Sequence, residues 1–217
     1  TVHVPPHNNA DSFSAHAAAV QSSTRHHDMV SDPDESYYAD QYMGCIEEHW
    51  SADFAMTPRV LDIGCGQGRL SLRVATAARA GCVVGVDFCA EAIDAAREYA
   101  SAASVQNAEF AVFDALAFVE AQESRSFDLI LMTEVTFFLP TYLRVIEESV
   151  RILRPGGKMV ISFRSQYFDL LHLIQHRRWD ELDLVIRERE GFWDDSWFSW
   201  HTLDDIRHLV STVGLIS

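Results

Sequence analysis

The stretch Val60-Leu61-Asp62-Ile63-Gly64-Cys65-Gly66-Gln67-Gly68-Arg69 constrains this chain more than any other. A short apolar run carries an acid, glycines follow at alternate positions, and Leu70-Ser71-Leu72-Arg73-Val74-Ala75 continues at helical spacing. The order reads as strand, tight turn, helix. Glycine suits such a turn because the backbone adopts conformations and close approaches that a Cβ blocks. The following helix offers its unpaired N–H groups to whatever lies over the turn, a setting for something small and polar.

The same rhythm continues downstream. Arg59–Ile63, Cys82–Val86, Glu109–Phe113, Phe127–Met132 and Lys158–Phe163 read as strands. Gly68–Ala80, Ala90–Ala103, Leu116–Glu120 and Tyr142–Leu153 read as the helices between them, and Arg154-Pro155-Gly156-Gly157 as a turn. Strands and helices alternating at this spacing predict an α/β fold: a doubly wound, Rossmann-like, mostly parallel sheet with helices on both faces. A chain of 217 residues has room for one such domain and an elaboration.

The flanks read differently. Residues 1–58 are expected to form an N-terminal arm and helical cap: Thr1–Asn9 loose, a short helix over Phe13–Gln21, and an amphipathic helix over Asp34–Trp50 from Tyr38, Tyr42, Ile46 and Trp50. Residues 59–163 form the α/β core, and residues 164–202 an α-helical insertion after the fifth strand, with Tyr167–Glu190 as one long helix. Trp193, Trp197 and Trp200 fall at i, i+4 and i+7, a helical stripe packed on the core; beside Glu190, Asp194 and Asp195 they could alternatively box a cationic amine. Residues 203–217 hold a helix with Thr202 as N-cap, then the start of a strand at Leu215–Ser217.

Bulk properties narrow the partners. A net charge of −15 repels phosphate backbones and anionic lipid, so neither nucleic acid nor a membrane surface is expected. Cys45, Cys65, Cys82 and Cys89 make no CxxC pair; together with the lack of a signal peptide or a membrane-length apolar run, they predict reduced thiols and a cytoplasmic location. His172 and His176 stand four apart without a glutamate between them or an evident third ligand, so no metal site is expected.

Ligands of open α/β sheets bind beyond the carboxyl ends of the strands. Those ends carry Asp62, Asp87, Asp114 and Glu134. Asp87 can accept from both hydroxyls of a ribose, Phe88 can stack on a base, and Asp114 can accept from an exocyclic amine. Each acid alone serves equally well as a helix cap. The glycine pattern Gly64-x-Gly66-x-Gly68 departs from the dinucleotide fingerprint GxGxxG, and Arg69 stands where that pattern wants its third glycine.

On Val60–Gly68, Gly85-Val86-Asp87, Phe113-Asp114-Ala115, Phe127–Ile130 and Leu153–Lys158, the chain resembles the class I S-adenosylmethionine-dependent methyltransferases of the small-molecule branch, over roughly Arg59 to Phe163. The resemblance implies S-adenosylmethionine as cofactor, held by Asp62, Gly64, Cys65, Gly66, Gly68, Asp87, Phe88, Asp114, Ala115 and Glu134. It implies transfer of a methyl group to an O, N or S atom of a small-molecule acceptor. A non-catalytic binding or scaffold protein, or an NAD-dependent oxidoreductase, are the rival classes.

Members resembling the quinone-pathway O-methyltransferases often carry an acid and a histidine where this chain has Phe137-Phe138, so no catalytic base stands out; His201, Tyr38 and Glu134 are the candidates. The family's sheet has seven strands, the last two an antiparallel hairpin. The sequence ends where that pair would begin, so a truncated C-terminus is expected, with the strand Lys158–Phe163 left as an unpaired edge prone to homo-oligomer formation.

Overall fold

The structure is a computed structural model that describes residues 2–3, 15–22, 28–49, 57–77, 81–193 and 196–215. The chain divides into two compact units, residues 24–133 with 147–161 and residues 1–23 with 134–146 and 162–217.

The first unit is the sheet unit. Its strands are β2 (Arg59–Ile63), β3 (Cys82–Asp87), β4 (Ala108–Val112), β5 (Phe127–Met132) and β6 (Leu153–Ile161), in the order β4-β3-β2-β5-β6 with every pairing parallel. Helices α3 (Arg69–Thr76), α4 (Ala90–Ala102) and α5 (Ala115–Glu120) connect successive strands, and α6 (Tyr142–Ile152) precedes β6. This is the doubly wound α/β fold the sequence predicts. The central strands are buried almost end to end, β5 at all of its positions, as expected where both faces of a parallel sheet are covered. Strand order reverses between β2 and β5, and the glycine turn leaves β2 at that switch point.

The turn expected at Arg154–Gly157 is instead absorbed into β6, which begins early: Leu153 pairs with Phe127 and the register slips before Leu129 meets Lys158. Asp128 holds this irregular start, accepting from the Arg59 amide at 2.8 Å and from the Arg154 guanidinium at 2.6 Å.

Helix α2 (Pro33–His49) starts where Asp32 Oδ1 accepts from the amides of Asp34 and Glu35, an N-cap that satisfies the first turn. Ion pairs Arg69–Glu35 and Arg73–Asp40, with Arg73 Nη2 donating to Ser36 Oγ at 2.8 Å, tie α2 to α3. The predicted end of this helix at Trp50 lies outside the described residues.

The second unit corrects the sequence reading in three places. A helix α1 over residues 15–22 matches the short helix expected there. The single helix predicted over Tyr167–Glu190 is two, α7 (Gln166–Gln175) and α8 (Trp179–Arg187), separated at Arg177, whose φ is 55°. Folding back lets both apolar stripes bury against Trp200: Leu173 and Val185 pack with it, and Leu170, Leu182, Leu184 and Phe198 surround them. One straight helix would leave half of that stripe in water.

The predicted tryptophan helix is a hairpin of β7 (Glu190–Trp193) and β8 (Ser196–Ser199), with Phe192 opposite Trp197. Strand alternation, not helical spacing, turns Trp197 and Ser199 inward while Ser196 and Phe198 stay partly exposed. The insertion is therefore mixed rather than α-helical throughout. The arm expected to be loose contributes β1 (Val2–His3), which pairs antiparallel with β7. Asp194, Asp195 and the Trp193 side chain, on which the amine box depends, lie outside the described residues.

Helix α9 (Leu203–Thr212) carries the expected Thr202 cap as a full capping box with Asp205. Leu215 belongs to no strand, and the rest of the strand expected at Leu215–Ser217 lies outside the described residues.

Candidate functional site

The glycine turn hangs from its neighbouring strand. The amides of Gly64 and Cys65 both donate to the Val86 carbonyl, at 2.8 and 3.0 Å, so the chain leaving β2 is fixed to the end of β3. Gly64, Gly66 and Gly68 all have positive φ, at 70°, 53° and 83°. These are left-handed conformations that cost other residues about 1–2 kcal/mol each. Gly68 has a second reason to be glycine, since a Cβ there would stand 3.1 Å from the Phe110 ring.

Asp62 and Asp87 brace the turn from two sides. Asp62 is buried and accepts from Ser71 Oγ, in the first turn of α3, at 2.5 Å. Burial raises its carboxyl from the ordinary 3.8 to about 6, against the pull of Ser71 and Arg69. Asp87 accepts from the Gly66 amide through Oδ2 and from the Cys89 amide through Oδ1, both at 2.9 Å. Burial raises this carboxyl too, and the backbone donors partly offset it. Each oxygen has spare acceptor capacity, so the carboxylate can take further donors, such as two hydroxyls.

The neighbouring strand ends supply an apolar edge. Asp87 pairs with Val112, and the Phe113 amide donates to the Asp87 carbonyl at 2.9 Å. Phe88, Val112 and Phe113 are all well exposed there, an arrangement suited to a flat ring. Asp114 caps α5, accepting from the Ala117 amide at 2.9 Å, and Ala115 is the first residue of that helix. The capping reading of Asp114 is thus realised, and one of its oxygens is engaged in it. Cys65 is buried, and burial pushes its thiol up.

Sequence reasoning missed Met29, Gln67 and Phe113. The Met29 amide donates to Gln67 Oε1 at 3.0 Å, and the Met29 thioether sits where a Cβ on Gly66 would approach within 3.1 Å. Asp28 shapes this strap, accepting from the amides of Val30 and Ser31 and from the Tyr99 hydroxyl at 3.1 Å. The only local signal was Asp32-Pro33-Asp34-Glu35, a helix start just after the strap.

The proposed catalytic residues fall in both units. Tyr38 lies on α2, half exposed and edge-to-face with Tyr37. Glu134 and His201 belong to the other unit. Glu134 has a left-handed φ of 57° and its amide donates to Ser162 Oγ at 2.6 Å. His201 is buried, its Nε2 is 2.8 Å from the Tyr142 hydroxyl, and burial lowers its pKa. His176 Nδ1 donates to the His172 carbonyl at 2.8 Å, and no group of three metal-ligating side chains exists among the described residues. Nor is any helix among them long and apolar enough to cross a membrane.

The glycine turn and the acids on the adjoining strand ends lie at the switch point, where open α/β sheets bind their ligands. Residues 57–184 match the methyltransferase domain family, and the chain belongs to that family. Among its relatives, an aklanonic acid methyltransferase of a Streptomyces species is 35% identical over 111 residues, 51% of this chain and 49% of the relative. The 27-O-demethylrifamycin SV methyltransferase of Amycolatopsis mediterranei is 33% identical over 108 residues, 48% of this chain and 38% of that one. The chain spans half or less of the length of these relatives. Among solved structures, phosphoethanolamine N-methyltransferase 1 of Haemonchus contortus, in complex with phosphoethanolamine and S-adenosylhomocysteine, superposes with a TM-score of 0.56 at 18% identity, over 76% of this chain and 41% of that one. This likeness extends to the fold.

Proposed function

We propose that the chain binds S-adenosylmethionine at the glycine turn and transfers its methyl group to an O, N or S atom of a small molecule. The observation that carries the reading is the Gly64–Gly68 turn at the switch point, with Asp87 clamping its Gly66 amide and keeping acceptor capacity for hydroxyls. Membership of the methyltransferase domain family supports it, as do the small-molecule methyltransferases among the relatives and the bound nucleoside of the structural neighbour.

When bound, the cofactor supplies an activated methyl on a sulfonium. The chain's own residues bind and orient it. Gly64, Gly66 and Gly68 let the backbone approach, with Cys65 contributing its main chain. Asp62, tied to Ser71, orients the turn, and Asp87 takes the ribose hydroxyls. Phe88 packs on the base, while the loop at Asp114 and Ala115 meets its edge. In-line displacement on a sulfonium depends on alignment and exclusion of water more than on acid–base groups.

Calorimetric titration with S-adenosylmethionine, S-adenosylhomocysteine and NAD tests the reading. Binding of the first two and not the third is expected, followed by formation of S-adenosylhomocysteine when a metabolite mixture is added. Binding of NAD alone overturns it. Binding without turnover favours a scaffold. A cytoplasmic setting and self-association along β6 belong to the same proposal.

A further inference from the structure

Arg164 lies just beyond β6 in the unit that carries α7, α8 and the hairpin. Its guanidinium is ringed by phenyl groups, 5.8 Å from the Phe137 centroid, 4.8 Å from Phe168 and 4.7 Å from Phe198. One of its nitrogens, Nη2, pairs with Asp169 Oδ1 at 2.9 Å. The position is rigidly built: Thr136 Oγ1 donates to the Ser162 carbonyl at 2.6 Å, fixing the short 3-10 turn that holds Phe137, and the His201 amide donates to the Arg164 carbonyl at 2.9 Å.

Two polar atoms here are left over. Arg164 Nε and Asp169 Oδ2 are buried with no hydrogen-bond partner among the described residues, although the Asp169 side chain is only 1% exposed. Buried polar groups are nearly always paired, and leaving one unpaired costs about 1–3 kcal/mol. One orphan is a donor and the other an acceptor. The rings around them are not sealed, since Phe168 is 58% exposed and the Arg164 side chain 20% exposed.

We infer that Arg164 and Asp169, walled by Phe137, Phe168 and Phe198, recognise a neutral hydroxyl carried on an aromatic ring. The inference stands apart from the methyl-transfer reading. A hydroxyl both donates and accepts, so the same group suits the acceptor Asp169 Oδ2 and the donor Arg164 Nε. An anion answers only the arginine and meets the uncompensated carboxylate oxygen. The arginine–aspartate pair is neutral overall and offers a carboxylate no net attraction. The phenyl rings favour a flat ring over an aliphatic chain.

The test is calorimetric titration of the full chain with catechol, 1,2-dimethoxybenzene and benzoate. Catechol is expected to bind at least about tenfold more tightly than either of the others, the ratio one lost hydrogen bond implies. Asp169→Asn exchanges the orphan acceptor for a donor and is expected to reverse the order of catechol and benzoate. Arg164→Gln is expected to abolish the preference, and it carries the test if the first variant fails to fold. Both variants should keep the wild-type affinity for S-adenosylmethionine.

Equal binding of catechol and its dimethyl ether, or an unchanged order in Asp169→Asn, overturns the inference. So does failure of all three probes to bind up to their solubility limit, which would mean that ordered water alone meets the two atoms. A catechol preference in a chain that does not bind S-adenosylmethionine overturns the methyl-transfer reading and leaves the hydroxyl site standing.

Discussion

The carboxylate of Asp87 joins two backbone segments, taking the Gly66 amide on Oδ2 and the Cys89 amide on Oδ1 at 2.9 Å each. One acid thus fixes the glycine turn to the start of α4. Asp87→Asn leaves one acceptor oxygen for two amides and sets an NH₂ group against one of them. The expected cost is about 1–3 kcal/mol of stability. A fall of at least about tenfold in S-adenosylmethionine affinity should accompany it, equivalent to one lost hydrogen bond. Thermal melting and calorimetry measure the two effects, and an unchanged affinity would remove Asp87 from the site.

Asp62 predicts a pH dependence with a defined sign. Its carboxyl titrates near 6 when folded and near 3.8 when not, so between those values the folded state holds the extra proton. Stability from this group is therefore fully present below about 4 and declines as pH rises toward about 6, by an amount on the order of 3 kcal/mol. Asp62→Asn is uncharged at every pH and should flatten that part of the curve. Urea unfolding across the window checks it, and parallel curves for the two proteins would refute it.

Two glycines with similar backbones should respond differently. Gly66 and Gly156 both have positive φ, 53° and 80°, but a Cβ on Gly66 approaches the Met29 sulfur at 3.1 Å whereas one on Gly156 meets nothing within 4 Å. Either alanine variant should lose about 1–2 kcal/mol through backbone strain. Only Gly66→Ala should also weaken S-adenosylmethionine binding, because it displaces the strap. Adding Met29→Ala to Gly66→Ala should restore part of that affinity, and no recovery would place the whole effect in the turn.

Tyr142 and His201 form a buried pair whose removal should be costly. Burial pushes the tyrosine hydroxyl up to about 12, so it stays protonated and available to His201 Nε2. His201 Nδ1 already lacks a partner among the described residues. Tyr142→Phe would leave both ring nitrogens unpaired, and a loss of about 1–3 kcal/mol is expected in thermal or denaturant unfolding. A change within experimental scatter would show that water replaces the phenol.

The α/β core was legible because its signals are local. Apolar runs ending in Asp62 or Asp87, glycines at alternate positions and helical spacing in Leu70–Ala75 each point to one local structure. The second unit was harder to read because its signals fit two periods at once. Trp193 and Trp197 stand at helical spacing yet fall on the two arms of a hairpin, and spacing alone does not separate a helix from a hairpin there. The break at Arg177 carries no glycine or proline, and folding back there is decided by distant Trp200. Met29 was invisible for a similar reason: its role depends on Gly66 and Gln67, far along the chain. At the site, the acids were legible as strand-end residues, while the exposure of Phe113 and the capping role of Asp114 needed the structure.

The anchor of the glycine turn on the Val86 carbonyl has an evolutionary consequence. Every amino acid brings the same carbonyl, so no side-chain substitution at that position can delete the attachment point. Lineages can exchange residues along β3 to suit the packing around them while the turn keeps its place. Residues elsewhere in the chain can then vary without disturbing the geometry of the turn.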